Sequence, residues 1–131
     1  MSRSEILAFD AEIVERQRML NGTEQVWLEG RERDGERLLS LNFVRPKEAA
    51  AGLREADLTV EATSGALQAA LTSGHVHCVV DDVSGDEEEV LDMEFHIEDG
   101  EGSLEHIAGT ARVRGTVAGE EARLEVTLDL Q

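Results

Sequence analysis

The stretch GTARVRGTVAGEEARLEVTLDL, residues 109–130, decides the fold class. Leu124, Val126, Leu128 and Leu130 alternate with Glu125, Thr127 and Asp129, the period of two expected of a strand with one buried face. Just upstream, Ile107, Gly109, Ala111, Val113 and Val117 share one face, and Thr110, Arg112, Arg114 and Thr116 share the other. Gly119-Glu120 between the two runs suits a two-residue hairpin turn. Folding there predicts Val113 opposite Val126, Ala111 opposite Leu128 and Arg114 opposite Glu125. A slip of one residue would turn every apolar side chain to the wrong face.

The same alternation continues upstream. Val76, Cys78 and Val80 alternate with His75, His77 and Val79, while Leu91, Met93, Phe95 and Ile97 alternate with Asp92, Glu94, His96 and Glu98. A four-residue loop, Ser84–Glu87, predicts Cys78 opposite Met93 and Val76 opposite Phe95. On the other face it sets His75 across from His96 and His77 across from Glu94. Cross-strand neighbours have Cβ atoms roughly 4.5–5.5 Å apart, so His75, His77, Glu94 and His96 form a candidate site for one divalent transition metal. His75-x-His77 on a strand beside His96 and Glu94 distantly resembles the metal site of the cupins, over Gly74–Gly85 and the neighbouring strand. The glutamate which that family carries after its His-x-His has only Asp81 as a counterpart here, and the Pro-x-Gly-x-x-His segment is missing. The resemblance implies a barrel interior holding a metal-bound substrate. The competing expectation is a solvated histidine face behind an apolar one, with no cofactor.

Asp34-Gly35 is a strong hairpin signal between Glu24–Arg33 and Glu36–Arg45. Its register predicts Leu28 opposite Leu41 and Val26 opposite Phe43, with Glu24–Arg45, Glu32–Arg37 and Arg33–Glu36 as opposite-charge pairs. Trp27 and Val44 fall on the outer face, which makes Trp27 a candidate partner contact. At the N-terminus, Ser2 and Glu5 resemble a capping box and Asn21-Gly22 a helix stop. Ile6, Phe9, Ile13 and Leu20 then line one helical face, and a helix over residues 1–22 is expected. Leu7, Phe9, Ala11 and Ile13 would alternate equally well in a strand. Pro46–Ala56 suits a short helix or a loop, Leu58, Val60 and Ala62 a strand, and Ser64–Ser73 either a strand or a helix. Asp99-Gly100 offers a turn before the strand near Ile107, and His106 lies in that connection.

Composition bounds the rest. The chain of 131 residues is 40% hydrophobic, with one Trp, three Phe and no Tyr, enough for one aliphatic core but poor in surfaces for stacking on bases. Its 29 acids against 12 bases leave a net charge of −17, which repels phosphate backbones and anionic membrane surfaces. Cys78 is the only cysteine, so no internal disulfide is expected. There is no basic-then-apolar leader, no apolar run near the roughly 20 residues that span a bilayer, no phosphate-binding glycine loop and no Gly-x-Ser-x-Gly elbow. A cytoplasmic location is expected.

These readings predict a single, mainly β domain over residues 1–131. Seven or eight antiparallel strands close a small barrel or curved sandwich over 23–131, behind an N-terminal helix over 1–22. The expected role is a non-catalytic binding or accessory protein with a protein partner or a small apolar ligand, and a homodimer is compatible with exposed edges. The alternatives are a cupin-like metal-dependent enzyme and an acidic mimic that docks on a basic partner.

Overall fold

A computed structural model of the chain describes residues 3–46, 52–80, 82–102 and 107–131. Eight strands follow one another in order: β1 (Arg3–Arg18), β2 (Glu24–Glu32), β3 (Leu38–Arg45), β4 (Ala56–Ala62), β5 (Gly65–Val80), β6 (Glu87–Gly102), β7 (Gly109–Ala118) and β8 (Glu121–Leu130). Each pairs antiparallel with its neighbours in sequence, and β1 pairs with β8 to close the barrel. Closure leaves no free edge where the pairing is complete, which is how an all-antiparallel sheet of this size avoids edge-to-edge association.

The expected N-terminal helix is replaced by β1. Leu7, Phe9, Ala11 and Ile13 point into the core, and Ile6, the first member of the helical stripe, is 65% exposed. Local pattern permitted either reading, but closure decides between them. Without β1 the unpaired edges of β2 and β8 would both face solvent, whereas β1 hydrogen-bonds β8 through residues 3–12 and β2 through residues 9–18. A bulge between Ile13 and Glu15 lets it bend from one partner to the other.

Two expected hairpins have the expected register. Val113 faces Val126, Ala111 faces Leu128 and Arg114 faces Glu125. Likewise Leu28 faces Leu41, Val26 faces Phe43 and Glu24 faces Arg45. The β5–β6 hairpin does not follow its expected register. Val76 faces Leu91 rather than Phe95, and Gly74 rather than Cys78 faces Met93. The shift is four residues, an even number, so the buried faces are unchanged. Two bulges, between Gln68 and Ala69 and between Leu71 and Ser73, bend the long hairpin round the barrel. Gly74 fits the observed register because a Cβ there would lie 3.1 Å from the Met93 side chain and 3.2 Å from the Asp92 carbonyl oxygen.

Residues 64–73 resolve as a turn at Thr63-Ser64 leading directly into β5. The Asp99-Gly100 turn is not formed; both residues lie inside β6, paired with Gln68 and Leu67. In the 46–56 connection, residues 52–55 form no regular element, although Leu53 is buried and its N–H donates to the Gly74 carbonyl at 2.8 Å. Residues 47–51 and His106 lie outside the described residues.

The interior is a single apolar cluster containing Phe9, Phe43, Phe95, Leu28, Leu41, Leu58, Leu67, Leu91 and Met93, all essentially inaccessible to solvent. Small eight-stranded barrels have interiors just wide enough for side chains to fill. Charged side chains sit where the inward rows run out. At one end Arg45, next in phase after Phe43, donates from Nη1 to Glu24 at 3.0 Å and from Nη2 to Glu89 of β6, on a strand that does not adjoin its own. At the other end Arg37 donates to Glu32 at 3.2 Å and to Glu5 at 3.2 Å.

Candidate functional site

On β5, His75 and His77 occupy alternate outward positions, with ring centroids 5.7 Å apart and planes inclined by 17°. The observed register sets His75 across from Asp92 and His77 across from Val90, while Glu94 faces Ser73 and His96 faces Ala70. The anticipated His75–His96 and His77–Glu94 pairs are therefore replaced. Asp92 and His96 are four positions apart on β6, roughly 13 Å at the rise of a strand. All four proposed ligands are exposed on the outer face, so the interior site implied by the cupin resemblance is not formed. Among the described residues no three His, Cys, Asp or Glu side chains are arranged to hold a metal ion.

Asp92, the carboxylate nearest His75 in register, is engaged elsewhere. Arg112 donates to it from Nε and Nη2, both at 3.1 Å, and Arg114 lies 3.7 Å away. The Arg112 hydrogen bond holds its carboxyl below the usual range; burial opposes this, and the charges of Arg112 and Arg114 add to the lowering. Arg112 is raised in return, first by the same hydrogen bond. A comparable pair joins β1 to the end of β2, where Arg33 donates to Asp10 at 2.8 Å and lowers its carboxyl.

A different surface follows from closure of the barrel. An open groove of about 1190 Å³ runs across the outside of β4, β3, β2, β1, β8 and β7. Two neighbouring cross-strand rows form its floor. In the first, Arg123 pairs with Asp10, Asp10 with Arg31, Arg31 with Leu38, and Leu38 with Glu61. Opposite charges face one another along the first part of that row, and Asp10 is also held by Arg33 at 2.8 Å. In the second, Ala118 pairs with Glu121, Glu121 with Glu12, Glu12 with Glu29, and Glu29 with Ser40. Three glutamates thus stand side by side on three adjacent strands. Strands lie about 4.8 Å apart, so the ladder spans roughly 10 Å.

Like charges directly opposite one another across strands are destabilising. No ion pair among the described residues relieves Glu12, Glu29 or Glu121, and Glu88 adds a further acid at the β7 side of the groove. The small side chains Ala118, Ser40, Thr59 and Thr116 leave the floor open around the carboxylates. Trp27 is half-buried on the outer face of β2, two positions from Glu29 and across from Asn42. It lies beside the groove, at the end of the ladder.

Sequence reasoning missed the ladder because its members come from residues 12, 29 and 121, and only the β1–β8 closure puts them in one row. The signal that would have revealed it was the strand-like alternation of Leu7–Ile13, which places Glu12 on the outer face. No helix among the described residues is long and apolar enough to cross a membrane. No family model matches the chain, and neither a curated protein nor a solved structure is similar to it.

Proposed function

We propose that the chain is a non-catalytic binding domain of the cytoplasm whose outer groove receives a basic segment of a partner protein. One observation carries the reading: Glu121, Glu12 and Glu29 are placed side by side in an open groove, at a cost in stability that a cationic ligand would reverse. Binding rather than catalysis is favoured by the side chains present: among the described residues that line the groove there is no histidine or cysteine, and the hydroxyls are those of Ser40, Thr59 and Thr116. The net charge of −17 steers a basic partner toward the domain and disfavours nucleic acid. Trp27 then forms the aromatic margin of the contact, in keeping with the enrichment of tryptophan at interfaces.

Anisotropy of a labelled peptide rich in arginine and lysine tests this reading. The triple variant Glu12→Gln/Glu29→Gln/Glu121→Gln is expected to bind about tenfold or more weakly. An equal change of charge away from the groove, Glu55→Gln/Glu98→Gln/Glu101→Gln, is expected to leave affinity nearly unchanged. Equal losses in the two variants would reduce the binding to net charge and overturn the assignment of the groove.

A further inference from the structure

The β5–β6 hairpin is longer than the strands that flank it. β4 pairs with β5 through residues 65–70, and β5 then runs on for ten residues to Val80 with β6 as its only strand partner among the described residues. Along the opposite edge of this extension, the single backbone hydrogen bond among the described residues is from Leu53 to the Gly74 carbonyl. Backbone groups in an antiparallel strand alternate between its two sides. Since Gly74 is directed away from β6, the N–H and C=O groups of Val76, Cys78 and Val80 are directed the same way.

Unpaired edges are normally protected by charge, by proline or by a distorting bulge. Past the bulge between Leu71 and Ser73, the edge over residues 74–80 has none of these. The chain is 31% charged, yet residues 62–80 contain no Asp, Glu, Lys or Arg. Val79 and Val80 are 50% and 54% exposed, and Cys78 is exposed beside them. The unprotected stretch and the uncharged stretch coincide.

We propose that this edge of β5 pairs with the same edge of a second copy, antiparallel about a two-fold axis at Cys78. That register opposes Val76 to Val80 of the second copy, Cys78 to Cys78, and Val80 to Val76, each pair exchanging two backbone hydrogen bonds. It uses every outward-directed group beyond Gly74, whose carbonyl is already taken by Leu53. Centring the axis on His77 would bring Gly74 into a hydrogen-bonding position and lose a pair. Charge selects the occupant. A strand carrying acids would meet a domain of strongly negative charge, and a basic strand would be drawn to the carboxylate groove. A second β5 brings an equally long uncharged strand. The symmetric arrangement makes the two edges complementary by construction. The proposal is independent of the groove.

Sedimentation equilibrium from micromolar to millimolar protein is the test, at low and high salt. A monomer–dimer equilibrium is expected, tightening as salt screens the repulsion between two acidic bodies. Val79→Lys places a charge opposite His77 of the second copy, and Cys78→Pro removes an outward-directed N–H without touching the β6 ladder. Each is expected to weaken dimerisation about tenfold or more while far-ultraviolet circular dichroism stays that of a folded barrel. If the proline variant unfolds, Val79→Lys decides alone. A short thiol-to-thiol crosslinker is expected to join two copies through Cys78. A chain that stays monomeric at the highest concentration in high salt overturns the proposal, and so does a dimer that survives Val79→Lys unchanged.

Discussion

Replacing Glu12 by glutamine isolates the repulsion within the carboxylate ladder. Glu12 is the middle member, opposite Glu121 on β8 and Glu29 on β2, so Glu12→Gln removes both like-charge contacts and keeps the side chain's length. Each directly opposed pair of like charges costs a few tenths to about 1 kcal/mol, which puts the relief near 1 kcal/mol at low salt. At about 2.1 cal/mol/K per residue, the 131-residue chain has an unfolding entropy of about 275 cal/mol/K. The melting temperature is therefore expected to rise by about 4 °C. Salt should remove much of this gain, because at half-molar ionic strength the Debye length is about 4 Å, close to the interstrand spacing. The matched control is Glu125→Gln. It makes the same change in net charge but breaks an attractive pairing, since Glu125 faces Arg114, and it should lower the melting temperature slightly. Differential scanning calorimetry at two salt concentrations measures all of these quantities. A Glu12→Gln variant that melts at or below the wild type in low salt would refute the reasoning.

Two further outcomes follow from the charged groups at and around the barrel. Arg45→Met leaves Glu89 without its arginine and Glu24 with only Arg16, 3.9 Å away; urea denaturation is expected to show a loss of about 1–3 kcal/mol, and a stability equal to wild type would remove the arginine as the clasp of that end. Asp92 has its carboxyl lowered first by the hydrogen bond from Arg112, so its contribution is fully present above the ordinary carboxylate value of 3.8 and disappears as pH falls through the lowered folded value. Asp92→Asn should therefore lose stability at neutral pH and flatten the acid limb of the stability curve, which denaturant melts between neutral pH and the acid transition will reveal; an unaltered acid limb would show that the pair contributes nothing.

The parts of the fold legible in the sequence share a physical cause. The β2–β3 and β7–β8 hairpins have short glycine-containing connections and cross-strand charge pairs, Glu24–Arg45 and Arg114–Glu125, that agree with the apolar phase. Two independent constraints then select one register. The β5–β6 hairpin lacks the second constraint. Val76 against Phe95 and Val76 against Leu91 bury the same faces, because period-two patterning is blind to an even shift. The bulges at Gln68/Ala69 and Leu71/Ser73 answer to the bend of the closed barrel, and nothing in the local pattern announces them. The four-ligand metal cluster depended on that register. Without it, His75 and His77 remain neighbours while Glu94 and His96 stand further along the sheet.

Taken alone, the amino-acid order determined which face of β2, β3, β6, β7 and β8 is buried, because alternation of apolar and polar residues leaves a half-buried strand no other phase, and its short turns determined that β2–β3 and β7–β8 run antiparallel. It also determined the acidic character that any partner must meet. Tertiary structure decided the rest: β1 is a strand because closure requires one between β2 and β8, and closure is a property of the whole sheet. The same closure brought Glu12, Glu29 and Glu121 into one row, and β4 stops short of the far end of β5, which has no second strand partner among the described residues. Neither feature is written in any local window, since one joins residues a hundred positions apart and the other depends on where a neighbouring strand stops.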